Sequence, residues 1–286
     1  MFQFSDALDS GNIEVRDARD ESDVQLAIRR DAGGDHLQWF HFRMTGVRNH
    51  PVHLRIVNAG ECSYAKAWHG YQTVASVDRQ HWFRVPTTYE DGQLHIRHTP
   101  TADVVWYAYF APFTLHQHQE LLARTQTAPG VTLERLGATV DGRDLDLLKM
   151  GSGPRRIWVL ARQHPGESMA EWWMQGFLRR LTDPHDALAG HLRDLATFFV
   201  VPNMNPDGSV RGHLRNNAAG ANLNREWHAP TMERSPEVKL VRDRMDATGV
   251  DLCLDVHGDE ELPYNFLAGS EGVAGYGERL ASLKAA

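Results

Sequence analysis

The spacing of apolar residues along this chain changes near residue 112. Before that point apolar and polar positions alternate over short stretches. Residues 24–28, 37–42, 52–57, 93–96 and 104–109 each read as a strand. In 37–42, Leu37, Trp39 and His41 fall on one face and Gln38, Phe40 and Phe42 on the other. Gly33-Gly34, Asn58-Ala59-Gly60 and Asp91-Gly92 supply turns. Short strands at this spacing predict an N-terminal antiparallel β-sandwich over residues 1–112.

After Pro112 strands alternate with helices, which predicts an α/β domain over 113–286. Residues 114–124 read as a helix and 145–148 as a strand, followed by a Gly151-Ser152-Gly153-Pro154 turn. The unbroken apolar run 157–161 reads as a strand buried on both faces. Ser168 and Glu171 have capping-box spacing, with Ser168 as N-cap of a helix over 169–181. A strand over 197–201, a helix over 235–248 stopped by Gly249 and a strand over 250–257 complete the pattern.

Composition narrows the partners. A length of 286 residues with 42% hydrophobic content supports one large domain or two ordinary ones. A net charge of −7 gives no nucleic-acid footprint. No apolar run is long enough to span a membrane, and the N-terminus has no secretory pattern, so a cytoplasmic protein is expected. Cys62 and Cys253 lie far apart and read as reduced, buried thiols.

The candidate chemistry begins at His164-Pro165-Gly166-Glu167-Ser168, where the 157–161 strand gives way to a helix. A His and a Glu three apart at such a turn can reach one Zn²⁺ from the same side. Alone the pattern is weak in a chain with 16 His, and His257-Gly258-Asp259-Glu260 repeats it. On strand 250–257, Val250, Leu252, Leu254 and Val256 share one face. Asp251, Cys253, Asp255 and His257 share the other. His257 ends that strand, where open α/β sheets place their sites. His164, Glu167 and His257 together leave a fourth metal position open, the composition of a catalytic zinc site. Asp255 either orients His257 or is a solvated or capping carboxylate. The Asn-, Gly- and Pro-rich stretch from Pro202 to Arg225 reads as a long functional loop. Arginines there suit a terminal carboxylate or a developing oxyanion, or are plain surface cations.

Four motifs now line up: His164-Pro165-Gly166-Glu167, Asn205-Pro206-Asp207-Gly208, Asn224-Arg225 and Asp255-Val256-His257-Gly258. Their order and spacing resemble the M14 zinc metallocarboxypeptidases. Trp39-Phe40-His41-Phe42 and Phe110-Ala111-Pro112-Phe113 resemble the cytosolic carboxypeptidase subfamily, whose members carry a β-sandwich before the peptidase. The resemblance covers nearly the whole chain. It implies a mixed-sheet α/β/α carboxypeptidase-like domain in which His164, Glu167 and His257 hold one Zn²⁺. It further implies that Arg215 polarises the scissile carbonyl, and that Asn224 and Arg225 grip the substrate's C-terminal carboxylate. The implied activity is hydrolysis of the last peptide bond of peptides or protein tails, with release of acidic residues such as glutamate.

The subfamily's general base is a Glu on a later strand. Asp259, Glu260, Glu261, Glu271 and Glu278 all come too early to match it, Glu260 and Glu261 standing too near His257. The chain ends 29 residues after His257 (286 − 257), in a segment, 277–286, that reads as the start of a helix. The expectation is therefore a domain lacking its last strands and its base, as a fragment of a longer protein or as a shortened zinc-binding member without turnover. Two other readings stay open: an aspartoacylase- or desuccinylase-like zinc amidohydrolase, and a non-catalytic zinc or peptide-binding module. The sequence is silent on oligomeric state.

Overall fold

Alternating burial builds the first half of the chain, as in Val52–Ile56, where Val52, Leu54 and Ile56 are buried and His53 and Arg55 are not. In the computed structural model, which describes residues 2–262, 264–269 and 282, ten strands precede Pro112. They are β1 (Gln3–Ser5), β2 (Glu14–Asp17), β3 (Val24–Ala27), β4 (His41–Thr45), β5 (Val52–Ile56), β6 (Val74–Ser76), β7 (Phe83–Arg84), β8 (Thr87–Glu90), β9 (Gln93–His98) and β10 (Val104–Ala108). Two five-stranded sheets result, ordered β1-β4-β10-β6-β7 and β2-β3-β5-β9-β8. Their pairings are antiparallel except β3 with β5, which is parallel. Trp39, Phe40, Phe42, Trp68, Tyr107 and Tyr109 fill the space between them.

The expected strand over 37–42 is paired in a sheet only from His41 onward. Its first residues are extended and buried, but their partners are loop groups. Leu37 N–H donates to Ser63 Oγ (3.1 Å), and Ser63 N–H donates back to the Leu37 carbonyl (2.9 Å).

Beyond Pro112 come α1 (Leu115–Thr125), β11 (Thr132–Ala138), β12 (Asp144–Met150), β13 (Arg155–Ala161), α2 (Ser168–Leu181), α3 (Ala187–Leu195), β14 (Ala196–Val201), α4 (Pro206–Arg211), α5 (Pro236–Thr248) and β15 (Leu252–Val256). Thr114 and Gln117 form the capping box that opens α1. The sheet is mixed, ordered β11-β12-β14-β13-β15, with β14, β13 and β15 parallel. Val159, Ala161, Phe198 and Val200 face α1 and α2, packing on Leu121, Met174 and Leu178. Trp158, Leu160, Phe199 and Val201 face α5 and meet Val238 and Val241. The layers are thus helix, sheet, helix.

Several expectations need correction. The stretch from Pro202 to Arg225 is not one loop: it contains α4 and a 3-10 turn over Leu223–Arg225. Ser168 is not an N-cap. Glu167 takes that position without a side-chain cap bond, and the Ser168 hydroxyl donates to the Ala111 carbonyl (2.9 Å). Cys62 is buried, but Cys253 on β15 is exposed. Residues 277–281 and 283–286 of the expected final helix, with Glu271 and Glu278, lie outside the described residues. Among the described residues no helix is long and apolar enough to cross a membrane.

Glu171 is drawn away from the cap by a buried cation. Arg162, at the end of β13, has φ +56° and is wholly buried. A left-handed non-glycine residue costs on the order of 1–3 kcal/mol. Three contacts offset that: Nε donates to the Pro165 carbonyl (3.1 Å), and Nη1 donates to the Phe113 carbonyl and to Glu171 Oε2 (both 2.7 Å). Glu171 also bonds His118 Nδ1 (2.6 Å) and accepts from Asn203 Nδ2 (3.1 Å). Replacing Glu171 by Ala strands the Arg162 charge in the interior. We expect Glu171→Ala to lower unfolding stability by about 3–5 kcal/mol, measured by urea denaturation. A loss below about 1 kcal/mol, the range of an exposed pair, would contradict this account.

Candidate metal centre

Parallel pairing places the ends of β13, β14 and β15 at one edge of the sheet. Leu160 is level with both Val201 and Asp255. The loops leaving this edge begin at Arg162, Pro202 and His257. Open α/β sheets hold their sites in this position because helix and strand ends leave polar groups unpaired there.

The edge brings together three of the six residues singled out from the sequence. His164, Glu167 and His257 each offer one ligand atom, all within 4.8 Å of one another. His164 Nδ1 lies 2.7 Å from Glu167 Oε1, and His257 Nδ1 lies 2.8 Å from Glu167 Oε2. Gly258 N–H donates to the same Oε2 (3.0 Å). His164 and Glu167 are buried, whereas His257 is half-buried. The far nitrogens are also held. His164 Nε2 meets Asn222 Oδ1 (3.2 Å), and His257 Nε2 meets Asp255 Oδ2 (2.9 Å). Outer acceptors on Nε2 leave Nδ1 facing the carboxylate, the arrangement that suits a metal-ligating histidine. Two imidazoles and a carboxylate fit a divalent zinc ion by donor type.

Charges in the trio are strongly coupled. Burial alone would raise the Glu167 carboxyl, but hydrogen bonds from His164 and His257 outweigh it and hold it at about 2. Burial would likewise lower His257, yet its bonds to Asp255 and Glu167 raise it to about 10. Of the two readings of Asp255, the orienting one is formed: its Oδ2 also accepts from Gln163 Nε2 (2.6 Å).

The supports come from the quoted motifs. Asn205 Oδ1 accepts from the Gly208 N–H (3.0 Å), and its Nδ2 donates to the Gln163 carbonyl (3.1 Å), next to His164. A Cβ on Gly208 would lie 2.4 Å from Pro165 Cγ, so only glycine lets α4 rest on the His164 turn. Asp207 is buried and pairs with Arg143 (2.8 Å).

The remaining three site residues lie on the 211–225 stretch. Arg215 is half-buried, and its Nη1 donates to the Tyr64 hydroxyl. Asn224 is half-buried and Arg225 exposed, on the turn that begins at Asn222. Arg225 Nη1 donates to the Asn224 carbonyl (3.2 Å). Sequence reasoning missed Asn222, although it opens the Asn222-Leu223-Asn224-Arg225 run. It also missed the surroundings of Glu260. Burial first, then the Glu167 charge, push that carboxyl up to about 8, against the pull of Arg215.

Two family models match the chain. Residues 4–110 match the cytosolic carboxypeptidase N-terminal domain, and residues 118–266 match the M14 zinc carboxypeptidase family. A putative carboxypeptidase A from Shewanella denitrificans superposes with a TM-score of 0.96 and 52% identity, over 99% of this chain and 76% of that one. A metallo-carboxypeptidase from Pseudomonas aeruginosa, solved in complex with (2-guanidinoethylmercapto)succinic acid, gives 0.95 and 47%, over 99% and 76%. Cytosolic carboxypeptidase 6 of Caenorhabditis elegans is 27% identical over 96% of this chain and 66% of its own length. The chain therefore spans just under two thirds of that curated relative.

The trio predicts a proton balance for zinc uptake. Metal-free His257 keeps its proton up to about pH 10, and a ligating nitrogen must lose it. Zinc binding below about pH 10 should expel about one proton from this histidine, and apparent affinity should fall about tenfold per pH unit on acidification. Titration calorimetry in two buffers of different ionisation enthalpy measures the released proton. Zinc uptake with no proton release would contradict the protonated state of metal-free His257.

Proposed function

The chain belongs to the M14 family of zinc carboxypeptidases, and from that premise we propose that it hydrolyses the C-terminal peptide bond of peptides or protein tails. The preferred leaving residue is acidic, glutamate first, and the site uses one zinc ion per chain. The observation that carries this reading is the convergence of His164, Glu167 and His257, whose ligand atoms all lie within 4.8 Å of one another. The cytoplasm is its place of action, as the names of its cytosolic relatives suggest. Residues 1–112 and 113–286 are its working domain division.

A zinc ion held by the trio would supply Lewis acidity, lowering the pKa of water toward about 7 and polarising a carbonyl. The chain's own groups bind, orient and stabilise charge. Asn222 and Asp255 accept from the Nε2 side and keep the Nδ1 atoms of His164 and His257 turned toward Glu167. Arg215 donates to the carbonyl oxygen as negative charge builds there. Its guanidinium keeps further N–H groups for this task beside the one given to Tyr64. Asn224 and Arg225 take the terminal carboxylate, with Arg225 suited to a two-point grip. A clamp on that carboxylate restricts attack to the last peptide bond. The Pseudomonas relative's ligand, a succinic acid derivative, is consistent with a site that favours carboxylates.

The test uses paired peptides, identical except for a final Glu or Leu, with the zinc-loaded protein at its natural full length. We expect the Glu peptide to be cleaved with the higher kcat/KM. Arg225→Ala should lower kcat/KM for it by about 10- to 100-fold, mostly through KM, since a hydrogen bond to a charged group contributes about 1.5–3 kcal/mol. Unchanged cleavage by Arg225→Ala removes the clamp assignment. Hydrolysis of an N-acyl-aspartate in preference to either peptide supports the amidohydrolase reading instead. Zinc uptake without any hydrolysis by the protein at its natural full length supports the binding module.

A further inference from the structure

Arg215 is placed by the N-terminal sandwich as much as by the sheet beneath it. Asp31, between β3 and β4, is 3% exposed. Its Oδ1 accepts from the Leu214 N–H (2.7 Å), and its Oδ2 accepts from the N–H groups of Arg215 (2.7 Å) and Asn216 (2.9 Å). Three successive amides closing on one carboxylate form a nest sealed by a fixed anion, and each bond is charge-assisted. Neighbouring contacts run the same way. Asn12 Nδ2 donates to the Gly212 carbonyl (3.0 Å), Ala32 N–H donates to His213 Nε2 (3.1 Å), and the Leu214 side chain packs in the sandwich core. Gly33 and Gly220, both at positive φ, approach so closely that a Cβ on Gly220 would lie 2.5 Å from the Gly33 carbonyl oxygen.

The guanidinium is set from the same side. It donates to the Tyr64 hydroxyl, and its Cζ lies 5.7 Å from the centre of that ring. Tyr64 is itself pinned by the wholly buried Gln38. Tyr64 N–H donates to Gln38 Oε1 (2.8 Å), and Gln38 Nε2 donates to the Tyr64 carbonyl (3.1 Å). The Leu214 carbonyl in turn accepts from the Gly166 N–H (2.9 Å), which ties the arginine loop to the turn bearing His164 and Glu167.

We infer that Asp31 and Tyr64 are positioning residues for Arg215, so that the sandwich completes the reaction centre. This rests on the reading of Arg215 as the group that meets the carbonyl oxygen. Asp31 fixes where its backbone stands, and Tyr64 fixes where its guanidinium points. A misplacement of about 1 Å in such a group costs on the order of 100-fold in rate.

The test uses the full-length zinc-loaded protein and a peptide ending in glutamate. Asp31→Asn keeps the shape but loses the charge and turns an amide toward the three donors. We expect its kcat to fall about 10- to 100-fold, with KM and zinc content within about threefold of the parent. On an Arg215→Ala background the same change should lower kcat no further, because it acts through that arginine. Tyr64→Phe removes only the hydroxyl. It should lower kcat by about 3- to 10-fold and also lose its effect on that background, and it decides the matter if Asp31→Asn does not fold. Wild-type kcat in the folded variants, or losses that add to those of Arg215→Ala, overturn the inference. Wild-type kcat in Arg215→Ala itself overturns the reading of Arg215, and the inference with it.

Discussion

The mouth of the larger sheet depends on one buried ion pair, Arg162 with Glu171. Both side chains are removed from water, a state that is tolerated only when every polar atom finds a partner. Arg162 binds the carbonyls of Phe113 and Pro165, and Glu171 binds His118 and Asn203. The pair therefore joins the segment before α1, the His164 turn, helix α2 and the end of β14. The turn's shape is dictated by a left-handed residue that only this cation network makes affordable.

On that base stands a second layer of charge. Glu167 lies between two imidazoles and takes an amide N–H from Gly258. Such a carboxylate is ionised in spite of burial because its neighbours favour the charged form. Asp255 and Asn222 stand outside the imidazoles and fix their direction. Nothing in this cluster is held by apolar packing alone, which suits a site that has to exchange protons and a cation.

Much of the fold was legible in the sequence. The change of period at Pro112, the apolar run of β13 and the alternation of β5 and β15 all follow from burial on one or two faces. The three convergent residues were legible because strand ends and a His-x-x-Glu spacing constrain where side chains can go. Other features were not. β11 has only Leu133 and Leu136 as large apolar residues and none of its residues is buried, so it shows little alternation. Helix α3 was missed although Leu188, Leu192 and Leu195 stand at helical spacing; all three are exposed, outside the core. Ser168 and Glu171 had the spacing of a cap, but a buried arginine nine residues away in sequence claimed the glutamate. Local rules lose to a buried charge because the cap is worth about 1 kcal/mol and the unpaired ion costs several. Asp31 and Tyr64 gave no local signal at all, since their partners lie on a distant part of the chain.

That distance bears on how the protein assembles. The Asp31 contacts close loops of 183 to 185 residues, and Tyr64 reaches Arg215 across 151. Contacts of such separation are slow to form, because chain entropy is lost before the bonds that compensate it appear. The two histidines and Glu167 span a shorter stretch and meet beyond the ends of β13 and β15. The arginine loop, by contrast, takes its position from residues of the sandwich, so the completed centre depends on contacts across most of the chain.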